Sequence, residues 1–189
     1  GTDEQKERFL PQILKGEIHF CIGYTEPGAG TDLAALKTKA VLDGDEYVIN
    51  GQKIFTSLAS DADYCWLAVR TNPDVSKHKG ISMIIVPMDT PGITVQPMDL
   101  MSEHDINQVF YEDVRVPAAN LVGGENNGWS LITNQLNHER VTLCSSGMLE
   151  QTYEETLRFA QGTKLADGRR VIDQEWAQLN LARVRAGLE

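Results

Sequence analysis

The alternation of apolar and polar positions divides the chain into three stretches. Over residues 3–15, Phe9, Leu10, Ile13 and Leu14 recur at helical spacing and predict a helix with one apolar side. Gly1-Thr2-Asp3 supplies an N-cap, and Lys15-Gly16-Glu17 ends the helix with glycine suited to the position after the last turn. Residues 18–117 read as strands. Lys37 to Leu42, Asp43-Gly44-Asp45 and Glu46 to Ile54 form a hairpin signal. Tyr64 to Arg70, Gly80 to Met88, Ile93 to Met98 and Gln108 to Val116 are further strand candidates, separated by loops at Asn72-Pro73 and Thr90-Pro91-Gly92. Strands this close together, with no helices between them, predict an antiparallel sandwich or barrel. Residues 128–189 return to helical spacing. Trp129, Ile132, Leu136 and Leu143 lead into Leu149 and Leu157. A polar break at Gly162 to Arg170 precedes a second helix from about Asp173, with Trp176, Leu179 and Val184 expected inward. Two helices do not close a bundle. Both ends look cut, which predicts a fragment or a partly ordered protein.

Composition narrows the function classes. The 189 residues are 41% hydrophobic, enough for a core. Seventeen Lys and Arg against 27 Asp and Glu give a net charge of −10, which disfavours nucleic acid and anionic membrane partners. The three cysteines, Cys21, Cys65 and Cys144, are widely spaced and read as small buried hydrophobes in a reducing compartment. His19, His78, His104 and His138 are scattered without ligand spacing, so no metal site is expected. The longest apolar run, around Ile84-Ile85-Val86, is too short to span a membrane.

The Gly-rich segment Gly28-Ala29-Gly30 admits two readings. It can let backbone approach a ligand without Cβ obstruction, with the Thr25 and Thr31 hydroxyls beside it. It can equally be a turn capped by Asp32. No Gly-Lys-Ser/Thr follows, which excludes a Walker A loop, and strands rather than a helix follow Asp32, which disfavours a dinucleotide fold.

Taken whole, Tyr24-Thr25-Glu26-Pro27-Gly28-Ala29-Gly30-Thr31-Asp32 resembles the acyl-CoA dehydrogenase signature. Three further stretches agree in order and spacing: Ile49 to Ser57, Phe110 to Pro117, and Leu136-Asn137-His138-Glu139-Arg140. The resemblance covers nearly the whole chain. It implies an α+β fold: the end of an N-terminal helical domain (1–17), an antiparallel β-barrel-like middle domain (18–122), and the first part of a C-terminal four-helix bundle (123–189), which is left incomplete.

The resemblance also implies FAD as cofactor. Ile22, Tyr24, Thr25, Gly30, Thr31, Phe55, Thr56 and Ser57 match positions beside the flavin, and Thr31 also matches one beside the thioester. The family often has Trp where Phe55 stands; from the residues alone, Phe55 reads as a core aromatic. Arg140 matches an arginine near the CoA chain, with Asn137 one turn earlier. A guanidinium suits a phosphate, although a surface ion pair is an equal reading. In most of the family the base that abstracts the α-proton lies in the second half of the C-terminal bundle; in the isovaleryl-CoA and long-chain branches, a glutamate at the Glu139 position does so, a role that a dry pocket would favour by raising its pKa. Its alternatives are a solvated helix glutamate or a partner of Arg140.

One departure stands out. Where family members carry Arg-x-x-Phe-Gly, reaching across a subunit interface, this chain has Lys164 and Asp167 for the arginine and phenylalanine. Lysine lacks the bidentate fork and aspartate lacks the ring. Such losses occur in a subclass built of two different subunits, to which bacterial steroid-side-chain dehydrogenases belong. The expectation is an FAD-dependent acyl-CoA dehydrogenase that passes electrons to an electron-transfer flavoprotein. It would act in fatty-acid or steroid side-chain β-oxidation as a homo- or hetero-tetramer. The expected location is the bacterial cytoplasm, or the mitochondrial matrix in a eukaryote. The alternatives are a non-catalytic or half-catalytic partner subunit, and an acyl-CoA oxidase or flavin monooxygenase relative.

Overall fold

The computed structural model describes residues 1–101, 105–142 and 146–188. Leu143, Cys144 and His104, named above, lie outside the described residues. The chain forms two compact units, Gly1–Asn134 and Gln135–Glu189.

In the first unit, α1 (Asp3–Lys15) starts at Thr2 with a reciprocal cap. Thr2 Oγ1 accepts the Gln5 N–H at 3.2 Å, and Gln5 Oε1 accepts the Thr2 N–H at 3.0 Å. It stops at Gly16, whose φ of 70° lets the Glu17 N–H reach back to the Gln12 carbonyl at 2.9 Å. The expected apolar side is buried at Phe9 alone, which meets Phe20 and Tyr64 edge-on at 5.7 and 5.2 Å; Leu10, Ile13 and Leu14 are exposed.

Among the described residues eight strands follow: β1 (Phe20–Gly23), β2 (Lys39–Asp43), β3 (Glu46–Ser57), β4 (Tyr64–Arg70), β5 (Ile81–Pro87), β6 (Ile93–Pro97), β7 (Ile106–Pro117) and β8 (Leu121–Val122). They form one sheet in the order β6-β7-β3-β2-β4-β5-β8, with β1 added on β4. Most pairings are antiparallel, as the spacing predicts, but β1 and β2 both pair β4 in parallel. Connections that bring β4 alongside β1 and β2 after intervening chain cannot be read from alternation, which reports faces and not neighbours. Strands from across this path share one core, including Ile49, Leu67, Ile84, Val86, Val109 and Tyr111, so the sheet wraps around it. Gly51 is required by close approach: a Cβ there would lie 2.5–2.7 Å from Thr38 atoms.

Helix α2 (Gly128–Thr142) begins in the first unit, with Ile132 buried and Trp129 edge-on to His78 at 4.7 Å. The second unit also contains α3 (Ser146–Gly162) and α4 (Glu175–Leu188). Trp176, Leu179 and Val184 are not inward: each is more than half exposed, and the small Ala160 and Ala177 are the buried residues. Helices α3 and α4 alone leave an open apolar groove of about 640 Å³ that includes Phe159, Trp176 and Val184. No described helix is long and apolar enough to cross a membrane. Among the described residues, no three His, Cys, Asp or Glu side chains come together as a metal site.

Candidate functional site

The Gly-rich segment is a turn and an open edge at once. Glu26 and Ala29 exchange backbone hydrogen bonds of 3.0 Å each way around Pro27-Gly28. Neither Gly28 nor Gly30 has a positive φ. A Cβ at Gly28 would meet nothing within 4 Å, and at Gly30 only Thr25 Cγ2 at 3.8 Å. Internal packing therefore does not require these glycines; they leave space that a ligand can use. Asp32 makes no cap and instead pairs with Lys77 at 2.6 Å. A cleft of about 270 Å³ opens beside the turn, lined in part by Gly28, Lys37, Gly51 and Gln52.

Strand β3 runs beside this turn. The Ile54 N–H donates to the Thr25 carbonyl at 2.9 Å, which brings Thr25 next to Phe55, Thr56 and Ser57. The pairing of β3 with β7 slips here: Lys53 faces Val109 and Thr56 faces Asn107, so Ile54 and Phe55 together oppose Gln108. This bulge turns Phe55 out of the sheet. Phe55 takes φ 59° and is 59% exposed, which corrects its reading as a core aromatic. A left-handed phenylalanine with a wet ring is costly locally and marks a place where a flat ligand can stack.

Thr56 is the next residue of the strand. It is buried, and its Oγ1 has no hydrogen-bond partner among the described residues, although its carbonyl accepts from Asn107 Nδ2 at 3.2 Å. Ser57 and Thr31 are exposed. Ile22 is exposed on β1, whereas the Tyr24 ring is buried, its hydroxyl accepting the Trp66 Nε1–H at 3.1 Å. An exposed ring, an open glycine turn and an unpartnered hydroxyl fit a planar, hydrogen-bonding cofactor such as a flavin.

Two residues that carry the signature but no expected site role tie this edge together. Lys53 and Glu26 are both buried, with Nζ 2.9 Å from Oε1. Lys53 also donates to the Tyr24 carbonyl at 3.0 Å. The backbone N–H groups of Lys37 and Thr38 complete the carboxylate at 2.6 and 2.8 Å. Burial by itself would push the Glu26 carboxyl up. Lys53 and the two N–H donors outweigh it, and the net effect holds Glu26 below its ordinary value. The available signal was Lys53 falling in step with the inward positions Tyr47 and Ile49.

In the second unit, Asn137 and Arg140 are exposed and lie about 60° apart on the α2 surface, on one side of it. Glu139 is half-buried and accepts from Gln135 Nε2 at 3.1 Å. Residues 163–171 form a hairpin closed by Leu165 N–H to the Arg169 carbonyl and Val171 N–H to the Thr163 carbonyl. Lys164 is exposed there. Asp167 is occupied locally, accepting Arg169 N–H, Nε and Nη2 at 3.0, 2.9 and 2.6 Å. The carboxylate thus holds its own turn.

Comparison with known proteins bears on both units. The model of the acyl-CoA dehydrogenase middle domain matches residues 21–114, and that of the acyl-CoA dehydrogenase C-terminal domain matches residues 126–189. Acyl-CoA dehydrogenase FadE26 of Mycobacterium tuberculosis is 58% identical over the whole chain, which covers 48% of that protein. The crystal structure of the ChsE4-ChsE5 complex from Mycobacterium tuberculosis superimposes with a TM-score of 0.86 at 58% identity, over 100% of this chain and 49% of that one. The Tcur3481-Tcur3483 steroid ACAD superimposes at 0.87 and 50% identity, over 100% of this chain and 48% of that one. The chain thus spans about half the length of these relatives. With two consecutive domain models matched in order and this level of identity along its full length, the chain belongs to the acyl-CoA dehydrogenase family.

Proposed function

We propose that this chain is the flavin-binding middle part, with the start of the C-terminal domain, of an FAD-dependent acyl-CoA dehydrogenase. The enzyme converts an acyl-CoA thioester to its trans-2-enoyl-CoA and hands the electrons to an electron-transfer flavoprotein. Residues 1–17, 18–122 and 123–189 are its end of the N-terminal domain, its middle domain and its share of the helical bundle. The observation that carries the reading is the Thr25–Ile54 hydrogen bond, which sets the glycine turn against the out-turned Phe55.

Bound FAD supplies the hydride acceptor. Phe55 packs on its ring system, Thr56 and Ser57 offer hydroxyls beside it, and the backbone from Tyr24 to Thr31, with Ile22 nearby, lines its edge. Arg140 and Asn137 hold the CoA portion, the guanidinium answering phosphate charge on an otherwise acidic chain. Glu139 takes the α-proton, its carboxylate oriented by Gln135. The likeness to the steroid ACAD favours a steroid side-chain thioester as substrate, and a bacterial cytoplasmic location. The test is anaerobic titration of the intact protein with acyl-CoA thioesters, including a steroid side-chain thioester. Bleaching of the visible flavin band is expected. A flavin-loaded protein that no thioester bleaches would defeat the reading.

A second reading rests on Lys164 and Asp167. With the family's arginine and phenylalanine replaced, and Asp167 occupied by Arg169, the chain would serve as one subunit of a heteromer in which only some interfaces carry flavin. The likeness to the ChsE4-ChsE5 complex supports it. Co-expression with a paralogue, then mass and flavin stoichiometry, separates the two. One FAD per chain in a homotetramer excludes the second.

A further inference from the structure

Inside the first unit, the Glu26–Lys53 pair cross-links three segments that are distant in sequence. Lys53 lies mid-strand in β3, Glu26 opens the glycine turn, and Lys37 and Thr38 lead into β2. Stability alone is a poor explanation for it. A buried ion pair is often matched or bettered by apolar side chains of the same volume, because desolvation of two charges offsets their attraction. Apolar residues could not, however, fix the direction of a peptide group. Lys53 does so by donating to the Tyr24 carbonyl at 3.0 Å. In a trans peptide the carbonyl and the following N–H point to opposite sides. With the Tyr24 carbonyl drawn inward, the Thr25 N–H faces away from the core, and it has no backbone partner among the described residues. The Thr25 carbonyl is held separately by Ile54, and the Glu26 N–H by Ala29. Every other polar backbone group from the Tyr24 carbonyl to the Glu26 N–H is thus engaged, and one donor is left facing the edge where Phe55 stands.

We propose that the Glu26–Lys53 pair is a positioning device that orients the Tyr24–Thr25 peptide and thereby aims the Thr25 N–H at the cofactor edge of the sheet. Lys53 and Glu26 touch no ligand themselves; they act through the Thr25 peptide. The consequence for binding rests on the flavin reading above, whereas the consequence for the turn does not.

The intact protein, in wild-type form and as the Lys53→Met single and Lys53→Met/Glu26→Gln double variants, tests both consequences. The double variant removes both charges at nearly constant volume, so it keeps the sheet filled while freeing the peptide. Amide hydrogen exchange should speed at least tenfold over residues 24–31 in the double variant, with the core strands β4 and β5 unchanged. FAD should bind at least tenfold more weakly, and the visible spectrum of the bound flavin should shift. Wild-type exchange over residues 24–31, or wild-type affinity and spectrum in a flavin-binding protein, would overturn the proposal. If both variants fail to fold, the pair is a stability element and the positioning role is wrong. A wild-type protein that binds no FAD would defeat the proposed function, and the exchange comparison would still decide this inference.

Discussion

The Ile54 N–H reaches the Thr25 carbonyl at 2.9 Å, and this bond, with the Lys53 contacts to the Tyr24 carbonyl and Glu26, holds the glycine turn against the bulge that expels Phe55. The bulge and the turn are separated by about thirty residues of chain, yet they form one edge.

Phe55 is the first test of it. Its left-handed backbone and exposed ring contribute little to the fold, so Phe55→Gly should leave unfolding stability within about 1 kcal/mol of wild type, the relief of strain offsetting the added chain entropy. Flavin affinity should fall about tenfold, a loss within the range of one aromatic contact. Denaturant unfolding and flavin fluorescence titration measure the two effects separately. A large loss of stability would return Phe55 to a structural role.

Thr56 carries a buried hydroxyl with no partner among the described residues. Thr56→Val removes it at nearly the same volume and should raise stability of the flavin-free protein by about 1 kcal/mol, because an unmade buried hydrogen bond is relieved. The same variant should bind FAD more weakly and shift its visible spectrum, because the proposed contact with the flavin is lost with the hydroxyl. Thermal unfolding with and without FAD checks both halves.

The Glu26 carboxylate is held below its ordinary value of 4.5, so its stabilising contribution is complete above that pH and drains away as pH falls through the lower value in the folded state. Acid unfolding of the wild type should therefore steepen below about pH 4.5. Glu26→Gln alone should cost about 3–5 kcal/mol at neutral pH by stranding the Lys53 charge, and should lose that acid slope. Urea unfolding between pH 3 and 7 reads both; an unchanged slope in the variant would place the acid sensitivity elsewhere.

Much of the sheet was legible because half-buried strands alternate. The β4 span Tyr64–Arg70 agrees with its pattern residue for residue, and the hairpin turn falls at Gly44-Asp45. Strands β1 and β8, of four and two residues, are too short to carry a period. The partnership of Lys53 with Glu26 was not legible, since an inward lysine on a strand looks like a solvated one until the fold brings a carboxylate 27 positions away beside it. Phe55 misled for the opposite reason: aromatic residues are usually core, and only the one-residue slip against β7 turns this one outward. Along α4, Trp176, Leu179 and Val184 have the correct spacing but are exposed, because spacing reports that a face is apolar and not what covers it.

Glu139 can be examined independently of the sheet. Glu139→Gln retains a side chain that can still bond Gln135, so acyl-CoA binding should persist while turnover falls by about two to four orders of magnitude, the usual worth of a positioned general base. Single-turnover kinetics against binding by calorimetry makes the separation. Turnover within a few-fold of wild type would remove Glu139 from the chemistry.

The central claim is that the Thr25 and Phe55–Ser57 edge receives a flavin. Titration of FAD into the intact protein, followed by quenching of flavin fluorescence, tests it most directly. Saturable binding that weakens about tenfold in Phe55→Gly and shifts spectrally in Thr56→Val is the predicted result. Absence of binding by a folded wild type, or binding indifferent to both substitutions, would contradict it.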